Sequence, residues 1–414
     1  MIPLTATGPT PSAAAPWRSP ERYWSALDRA TAHLPAPLAT LELGALRYNT
    51  HDMLRRAGGV PIRVASKSLR CRELLLSLLA LPGYRGVLAF TLAEALWLAA
   101  DVDDIVVGYP SVDVPALRAL AADDRARERV TLMVDSVEQL DLMTAALGPG
   151  HPEIRLCIEL DVAWDAPGPL GRIGVWRSPL SSAADAAGFA RVITRRPGFR
   201  LVGLMGYEAQ IAGVADAVPG RAANSALMRW VKRTSTPLVH ERRQETVAAV
   251  RAVTELEFVN GGGTGSLEST GSDPSVTEIA AGSGILAGHF FDDYEAFSPA
   301  PAAAFALDVV RKPTPERATI LGGGWVASGP PGDDRLPKIE YPLGLRMAAR
   351  EMAGEVQTPV SGAAAAGLHA GDRVWLRHTK SGELGERINT FQIVSEGEVV
   401  GETPSYRGEG KAFL

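Results

Sequence analysis

The sequence has little of what marks secreted, membrane-spanning or nucleic-acid-binding proteins. It contains two cysteines in 414 residues, Cys71 and Cys157, and no Cys-x-x-Cys spacing. We therefore expect two reduced thiols, without a disulfide or metal knuckle, in a cytoplasmic protein. No apolar run reaches the roughly 18 residues of a membrane span, so none is expected.

Charge is also scarce. Charged residues make up 21% of the chain, the net charge is −5, and no dense basic cluster occurs. This excludes the electrostatic surface that nucleic acids or anionic membranes require. The hydrophobic fraction of 46% predicts a sizeable core and excludes global disorder.

Eight short β-rich runs alternate with longer stretches of helical period. This order predicts an α/β fold, a parallel (β/α)8 TIM barrel, although a doubly wound open sheet gives a similar alternation. In either fold, ligands bind at the carboxyl ends of the strands. The eight runs are 62–65, 86–90, 104–107, 130–134, 154–160, 201–205, 256–259 and 276–280.

The flanking segments differ from this repeating part. Residues 1–34 begin with a stretch rich in Pro, Ala and Thr that lacks the charged start and apolar block of a signal peptide, so we expect a flexible tail. The barrel domain is expected over residues 35–295. Beyond 296, Pro and Gly become frequent and strand-like runs follow without long helices. This composition predicts a mostly-β domain over 296–414.

One lysine stands at a predicted strand end. Lys67 follows the first barrel run in Arg63-Val64-Ala65-Ser66-Lys67-Ser68. Partial burial there favours the neutral, nucleophilic amine. Asp161, Tyr207, Asn260 and Ser283 also fall just past strand ends, and we expect all five on one face of the barrel.

A glycine-rich bend follows the seventh run, in Asn260-Gly261-Gly262-Gly263-Thr264-Gly265-Ser266. Successive glycines let the backbone approach a ligand, and barrel phosphate sites often follow strands seven and eight. The dinucleotide pattern Gly-x-Gly-x-x-Gly is not met, because position 266 is Ser. An amine combined with a phosphate cradle is what pyridoxal 5′-phosphate (PLP) requires.

Two further residues are ambiguous when taken alone. Arg172, in Leu170-Gly171-Arg172-Ile173-Gly174, suits a cofactor oxygen or a substrate carboxylate, but an exposed loop arginine explains it as well. His378 lies in a charge-dense segment of the β domain. Such a histidine serves as a base, a ligand or a packed polar group.

Taken in order, these motifs resemble the D-threonine aldolase/D-serine dehydratase family of fold-type III PLP enzymes, which have an alanine-racemase-like barrel. The resemblance extends over about residues 35–414, and it is greatest to the branch labelled amino acid deaminase/aldolase. The segments that carry it are 63–68, Asp161 with 172–174, 205–210, 261–264, 371–374 leading into His378, and 406–410.

The resemblance implies a role for each matching residue. Lys67 would carry the Schiff base to PLP, and Tyr207 would line the substrate side. Arg172 would contact the ring oxygen. The phosphate would be held by Gly262, Gly263, Thr264, Ser283 and Gly284. The resemblance also implies a homodimer in which the β domain helps to close the partner's barrel mouth.

The implied activity is a lyase reaction on a β-hydroxy D-amino acid through an external aldimine, either retro-aldol cleavage or dehydration with deamination. His378 is the expected base and Lys380 its electrostatic helper. Metal-binding relatives have His-x-Cys or His-x-Asp where this chain has His378-Thr379-Lys380. Lysine does not share a divalent cation at neutral pH, so metal dependence stays open, with His378 the one possible ligand.

Three alternatives remain at this stage. A PLP-dependent racemase needs two bases on opposite faces of the α-carbon, and only Lys67 is assigned. A non-catalytic PLP-binding protein typically lacks the additional β domain. A nicotinamide-dependent oxidoreductase would use the glycine bend to bind its dinucleotide. The sequence does not identify the natural substrate.

Overall fold

The structure is a computed structural model that describes residues 1–4, 15–330, 332–380 and 382–414. The first strands are β1 (Leu38–Glu42), β2 (Ile62–Ala65), β3 (Tyr84–Ala89), β4 (Ile105–Val107), β5 (Val130–Val134), β6 (Ile154–Glu159), β7 (Trp164–Ala166), β8 (Gly171–Ile173), β9 (Phe199–Gly206), β10 (Phe258–Gly261) and β11 (Glu278–Ala281). The later strands are β12 (Ala303–Thr314), β13 (Arg317–Leu321), β14 (Lys338–Tyr341), β15 (Arg346–Met347), β16 (Gln357–Ser361), β17 (Arg373–Arg377), β18 (Thr390–Ser395) and β19 (Glu398–Pro404).

The α-helices are α1 (Pro20–Ala30), α2 (Leu43–Arg56), α3 (Arg72–Leu79), α4 (Leu92–Leu98), α5 (Val114–Ala122), α6 (Asp124–Arg129), α7 (Val137–Leu147), α8 (Ala183–Thr194), α9 (Ala209–Ala212), α10 (Ala222–Arg251), α11 (Leu267–Gly271) and α12 (Ser283–Leu286). Several helices begin at a side chain that accepts an amide hydrogen of the first turn. Thr91, Asp113 and Ser182 do so for α4, α5 and α8. These caps satisfy amides that would otherwise lack a partner.

The chain divides into two compact units. The barrel unit comprises Met53–Lys67, Leu78–Gly282 and Phe413–Leu414. The sheet unit comprises Met1–Asp52, Ser68–Ser77 and Ser283–Ala412.

The barrel unit contains a closed parallel barrel. Within the described residues, eight strands close in the order β10-β11-β2-β3-β4-β5-β6-β9. Each overlaps one of the eight runs expected from the sequence, with ends shifted by up to two residues, so the (β/α)8 barrel is confirmed and the open sheet is excluded. Closure rests on the pairing of β11 with β2, in which Ile279 lies opposite Ile62.

The barrel interior is apolar and tightly filled. Its core consists of Ala65, Leu88, Val106, Met133, Cys157, Val202, Met205, Phe258 and Ala280. The Phe258 ring lies so close to β9 that a Cβ on Gly203 would come within 2.1 Å of it. Glycine at 203 is therefore required for the ring to fill the barrel centre.

A buried ion network crosses the same interior. The Arg63 side chain, 1% exposed, donates to Glu278 at 2.6 and 2.8 Å and to Asp104 at 2.9 Å through each of two nitrogens. Asn260 donates to the same Glu278 carboxylate at 2.8 Å. Burial alone would lower the pKa of Arg63, but Glu278 and Asp104 raise it above its usual value. The guanidinium therefore stays charged and links β2, β10 and β11.

Both cysteines are free and buried. Burial raises the pKa of the Cys71 thiol to about 11 and that of Cys157 well above its usual value. Neither thiol is therefore a nucleophile near neutral pH, which agrees with the structural role expected for them.

The sheet unit is built on a mixed sheet. In the described residues it has nine strands, ordered β15-β16-β13-β12-β1-β18-β19, with β17 beside β12 and β14 beside β17. The expected mostly-β domain is confirmed. The short strands β14 to β16 were not predicted, because each has only one or two apolar side chains among polar ones.

The N-terminal boundaries differ from those expected. Strand β1 was placed in the barrel domain, but it pairs antiparallel with β12 and parallel with β18. Part of the expected tail is ordered as α1, whose Trp24 and Leu27 pack with Trp375. Partners so distant in sequence leave no local signal. Residues 5–14 of the expected tail lie outside the described residues.

No helix in the described ranges is both long enough and apolar enough to cross a membrane.

We predict that Arg63→Met lowers the free energy of unfolding by about 3–5 kcal/mol, because it leaves buried Glu278 without its counter-charge. Urea unfolding followed by circular dichroism measures this loss. The control is Arg85→Met, since Arg85 also pairs with Asp104, at 3.7 Å, but its side chain is 70% exposed. The control should cost no more than about 1 kcal/mol. Equal losses in the two variants would contradict the assignment.

Candidate active site

The parallel barrel brings the ends of its strands to one rim. Because all eight strands run the same way, the residues after each carboxyl end lie on the same side. Lys67 follows β2, Tyr109 follows β4, Glu159 ends β6 and Tyr207 follows β9. The glycine bend begins within β10, whose last two residues are Asn260 and Gly261, and continues past its end.

The amine of Lys67 is held by a tyrosine. Lys67 belongs to the 3-10 turn Ser66–Ser68 and is half-buried. Its Nζ donates a 2.6 Å hydrogen bond to Oη of Tyr109 and lies 5.4 Å from the centre of that ring. Ser66 fixes the turn by donating to the Leu88 carbonyl at 3.1 Å. Tyr109 thus holds the amine, and Ser66 holds the backbone turn that carries it.

The glycine bend needs glycine at its centre. Gly262 has φ of +82°, and a Cβ there would lie 2.6 Å from Cγ2 of Ile279. A Cβ on Gly263 would lie 3.0 Å from Cβ of Ala212. Larger residues would therefore strain or displace the bend.

The bend's first amides are already engaged. Gly262 N–H donates to Oε2 of Glu208 at 3.1 Å, and Gly263 N–H donates to Oγ of Ser266 at 3.2 Å. These glycines were expected to offer their amides to a phosphate. In the structure their amides shape the loop, and the Thr264 hydroxyl follows directly after them.

A buried charge cluster supports this loop. Arg243 of α10, with a fully buried side chain, donates to Glu208 at 2.8 Å and to Asp273 at 2.7 Å. Thr270 also donates to the Glu208 carboxylate. The bend is therefore held in shape by protein groups alone, before any ligand binds.

The guanidinium of Arg172 forms ion pairs with two carboxylates. On the β7–β8 hairpin it donates to Asp161 at 2.9 Å and to Asp165 at 3.1 Å. The hydrogen bond to Asp161 raises the pKa of Arg172 above its usual value. The two bonds use Nη1 and Nη2, which leaves Nε–H for a further acceptor.

A second arginine, Arg177, lies at the rim without such partners. Its Cζ is 5.7 Å from the ring centre of Tyr109 and 5.8 Å from that of Tyr207. It lines a cleft of about 410 Å³ together with Asp161, Arg172 and Trp176.

Two rim residues have displaced pKa values. Burial, with a further contribution from Glu208, raises the pKa of Tyr207 to about 12, so the phenol stays protonated. Burial raises the pKa of Glu159 to about 7, while Arg177 lowers it and Asp135 and Asp161 raise it. Glu159 therefore exchanges its proton near neutral pH.

The remaining expected residues belong to the sheet unit. Ser283 and Gly284 begin α12 directly after β11, and Oγ of Ser283 lies 3.0 Å from Oγ of Ser68. His378 is 1% exposed, and neither ring nitrogen has a hydrogen-bond partner in the described residues. Burial lowers the pKa of His378 to about 4. Nζ of Lys380 lies 5.6 Å from the ring centre of Phe290.

A metal centre is not preformed in the described part of the chain. No group of three or more His, Cys, Asp or Glu side chains there is arranged to hold a cation.

Sequence reasoning missed Tyr109, Arg177 and Arg243. Tyr109 had a usable signal, since Gly108-Tyr109-Pro110 directly follows a predicted strand. Arg177 and Arg243 had none, because each depends on contacts between residues distant in sequence.

The fold and rim define a class of protein: a parallel barrel that presents a tyrosine-held lysine beside a preformed glycine bend. The chain matches the family described as alanine racemase, N-terminal domain, over residues 41–252, just over half of its length. It belongs to this family. The resemblance seen in the motifs is thereby confirmed.

Individual similar proteins agree with this family assignment. A D-threonine aldolase from Arthrobacter sp. is 27% identical over 323 residues, which cover 75% of this chain and 78% of that protein. The crystal structure of D-threonine aldolase from Filomicrobium marinum matches with a TM-score of 0.75 and 20% identity, over 91% of this chain and 96% of that one. D-threo-3-hydroxyaspartate dehydratase from Delftia sp. HT23 matches with a TM-score of 0.69 and 18% identity, over 90% and 97%. The two structural matches establish the fold.

We predict that Glu159→Gln stabilises the protein only at higher pH. Below the usual pKa of 4.5 the carboxyl is protonated both folded and unfolded, so the substitution changes little. Between pH 4.5 and about 7 the wild-type protein loses stability, because the carboxyl ionises in the unfolded chain before it ionises in the folded one. The variant should be more stable by roughly 3 kcal/mol at about pH 8.

Urea unfolding at several pH values measures this difference. Glu153→Gln is the control, because its side chain is 59% exposed and pairs only with Arg200 among the described residues. It should show little pH-dependent difference. A Glu159→Gln effect that is constant with pH would contradict the displaced pKa.

Proposed function

We propose that this protein is a PLP-dependent lyase that acts on β-hydroxy D-amino acids. The observation that carries the proposal is the Lys67 amine, held 2.6 Å from Tyr109 at the rim of an alanine-racemase-family barrel. PLP needs such an amine for its aldehyde. Threonine and 3-hydroxyaspartate, which occur in the names of the similar proteins, both carry a β-hydroxyl group.

The residues of the rim fit the cofactor. Lys67 would hold it covalently, and the bend with the Thr264 hydroxyl would receive its phosphate, with Ser283 and Gly284 following the next strand. A Cβ on Gly262 or Gly263 would crowd Ile279 or Ala212, so only glycine allows this backbone path, and Glu208 and Ser266 fix its amides. Arg172 would reach the ring oxygen through Nε–H while it keeps its carboxylate partners.

When bound, PLP supplies an electron sink for the pair released at the α-carbon. The chain must move the protons. Retro-aldol cleavage needs a base for the β-hydroxyl, whereas dehydration needs a base for the α-proton and lets the hydroxyl leave. Lys67 is our base for the α-proton and His378 our base for the β-hydroxyl.

The state of His378 supports this role. A pKa of about 4 keeps the imidazole neutral near pH 7, so one ring nitrogen is able to accept a hydrogen bond from the β-hydroxyl. Two buried ring nitrogens without partners are costly, and a substrate hydroxyl would satisfy one of them. Lys380, two residues later, supplies positive charge and, as an ammonium, does not ligate a cation. We therefore propose a reaction without a His378–Lys380 metal pair.

A racemase is less well supported. It needs a second base, and the phenol of Tyr207, with a pKa of about 12, is too weakly acidic to serve as one near neutral pH.

We predict that the protein with PLP cleaves or dehydrates members of a panel of β-hydroxy D-amino acids that includes D-threonine and D-serine. Aldehyde and glycine indicate cleavage, and keto acid with ammonia indicates dehydration. Lys67→Ala should abolish either activity, because it removes the anchoring amine, and a chelator should leave activity intact. The control is Lys338→Ala, whose side chain is 48% exposed in a surface ion pair.

Inactivity of the wild-type protein towards the whole panel would contradict the lyase assignment. Activity abolished by chelator would contradict the metal-free role of Lys380.

We further propose a homodimer in which His378 serves the site of the partner subunit. Lys67→Ala and His378→Ala should each be inactive alone. Subunits exchanged between the two variants should regain about one quarter of wild-type activity, because half of the dimers are then mixed and each mixed dimer has one intact site. Chromatography with light scattering checks the dimer. Absence of recovery in a mixed dimer would show that His378 acts within its own chain or not at all.

A further inference from the structure

Two arginines at the same rim differ in their partners. Arg172 is bonded to Asp161 and Asp165. The guanidinium of Arg177, in contrast, makes no hydrogen bond and no ion pair within the part of the chain that the structure describes, and its contacts there are the faces of Tyr109 and Tyr207. An arginine held by two aromatic rings keeps its donors available for an anion.

The position of Arg177 ties it to the reactive amine. Tyr109 contacts both groups: its hydroxyl accepts from Lys67 at 2.6 Å, and its ring lies 5.7 Å from Cζ of Arg177. Lys67 and Arg177 therefore both contact Tyr109, Lys67 at its hydroxyl and Arg177 at its ring. Arg177 is exposed and lines the cleft of about 410 Å³, where Trp176 is 77% exposed.

The charges around the cleft indicate which kind of ligand binds there. The nearby Asp161 carboxylate is neutralised by Arg172. Glu159, the other nearby acid, forms no ion pair with Arg177 in the described residues. Arg177 acts on Glu159 only at a distance, by lowering its pKa, so its N–H donors stay available near the amine site. An α-amino acid carries its amine and its carboxylate on the same carbon, which matches a lysine and an arginine that share one tyrosine.

We propose that Arg177, and not Arg172, binds the α-carboxylate of the amino-acid substrate. This inference rests on the proposed function for the identity of the substrate. It makes Arg177 a determinant of specificity for free acids over amides and esters.

Binding to the PLP-saturated protein tests the proposal without turnover. The probe is (R)-3-hydroxybutyrate, which has the carboxylate and the β-hydroxyl but no amine, and 1,3-butanediol is the neutral comparison. By isothermal titration calorimetry, Arg177→Gln should weaken binding of the acid by about 10- to 100-fold, as expected for a lost charge-assisted pair. Arg177→Lys should lose less, because it keeps the charge.

The matched control is Arg191→Gln, an exposed arginine on α8. It should bind the acid as the wild type does, and the diol should not distinguish any of these proteins. With D-threonine and D-threoninamide as substrates, Arg177→Gln should raise KM for the acid and reduce the preference for acid over amide, with a smaller change in kcat.

Several results would overturn the proposal. One is failure of the wild-type protein to bind the acid more tightly than the diol. Another is unchanged acid binding in Arg177→Gln, including the case in which this variant loses affinity for PLP instead, because the arginine would then serve the cofactor phosphate. If no substrate turns over, the proposed lyase function fails, but the calorimetry still decides the role of Arg177.

Discussion

Closure of the barrel is the constraint on which the site depends. The pairing of β11 with β2 joins the last barrel strand to the first, and β10 lies on the other side of β11. Lys67 and the glycine bend, which are far apart in sequence, therefore follow strands only one position removed from being neighbours. Arg63, Glu278 and Asn260 link these same three strands inside the barrel. An open sheet would have left the amine and the bend at opposite edges.

Around this rim, charged groups serve two different purposes. The network of Arg243, Glu208 and Asp273 is fully internal and fixes the backbone of the bend. Arg177 faces a cleft and has no ion-pair partner in the described ranges. A preformed anion site costs less reorganisation when the ligand arrives, and an unpaired guanidinium adds affinity that depends on the charge of the ligand. Together they support our proposal of a site for a phosphorylated cofactor and a carboxylate substrate.

The sequence was sufficient where physical signals are local. Alternating strand and helix periods located all eight barrel strands, and the strand-end position of Lys67 located the rim. It was insufficient where partners are distant: β1 joined the sheet unit, and the Gly262 amide bonds to Glu208. Which of two rim arginines is free for an anion depends on Asp161 and Asp165, and no spacing in the sequence reveals that choice.

The most direct measurement traps the covalent link between the protein and its cofactor. The PLP-saturated protein is treated with borohydride and digested, and the peptides are mapped by mass spectrometry. Our account predicts a pyridoxyl group on Lys67 and on no other lysine at comparable yield. An unmodified Lys67 in saturated protein would contradict the assignment of the amine, and the proposed chemistry would fall with it.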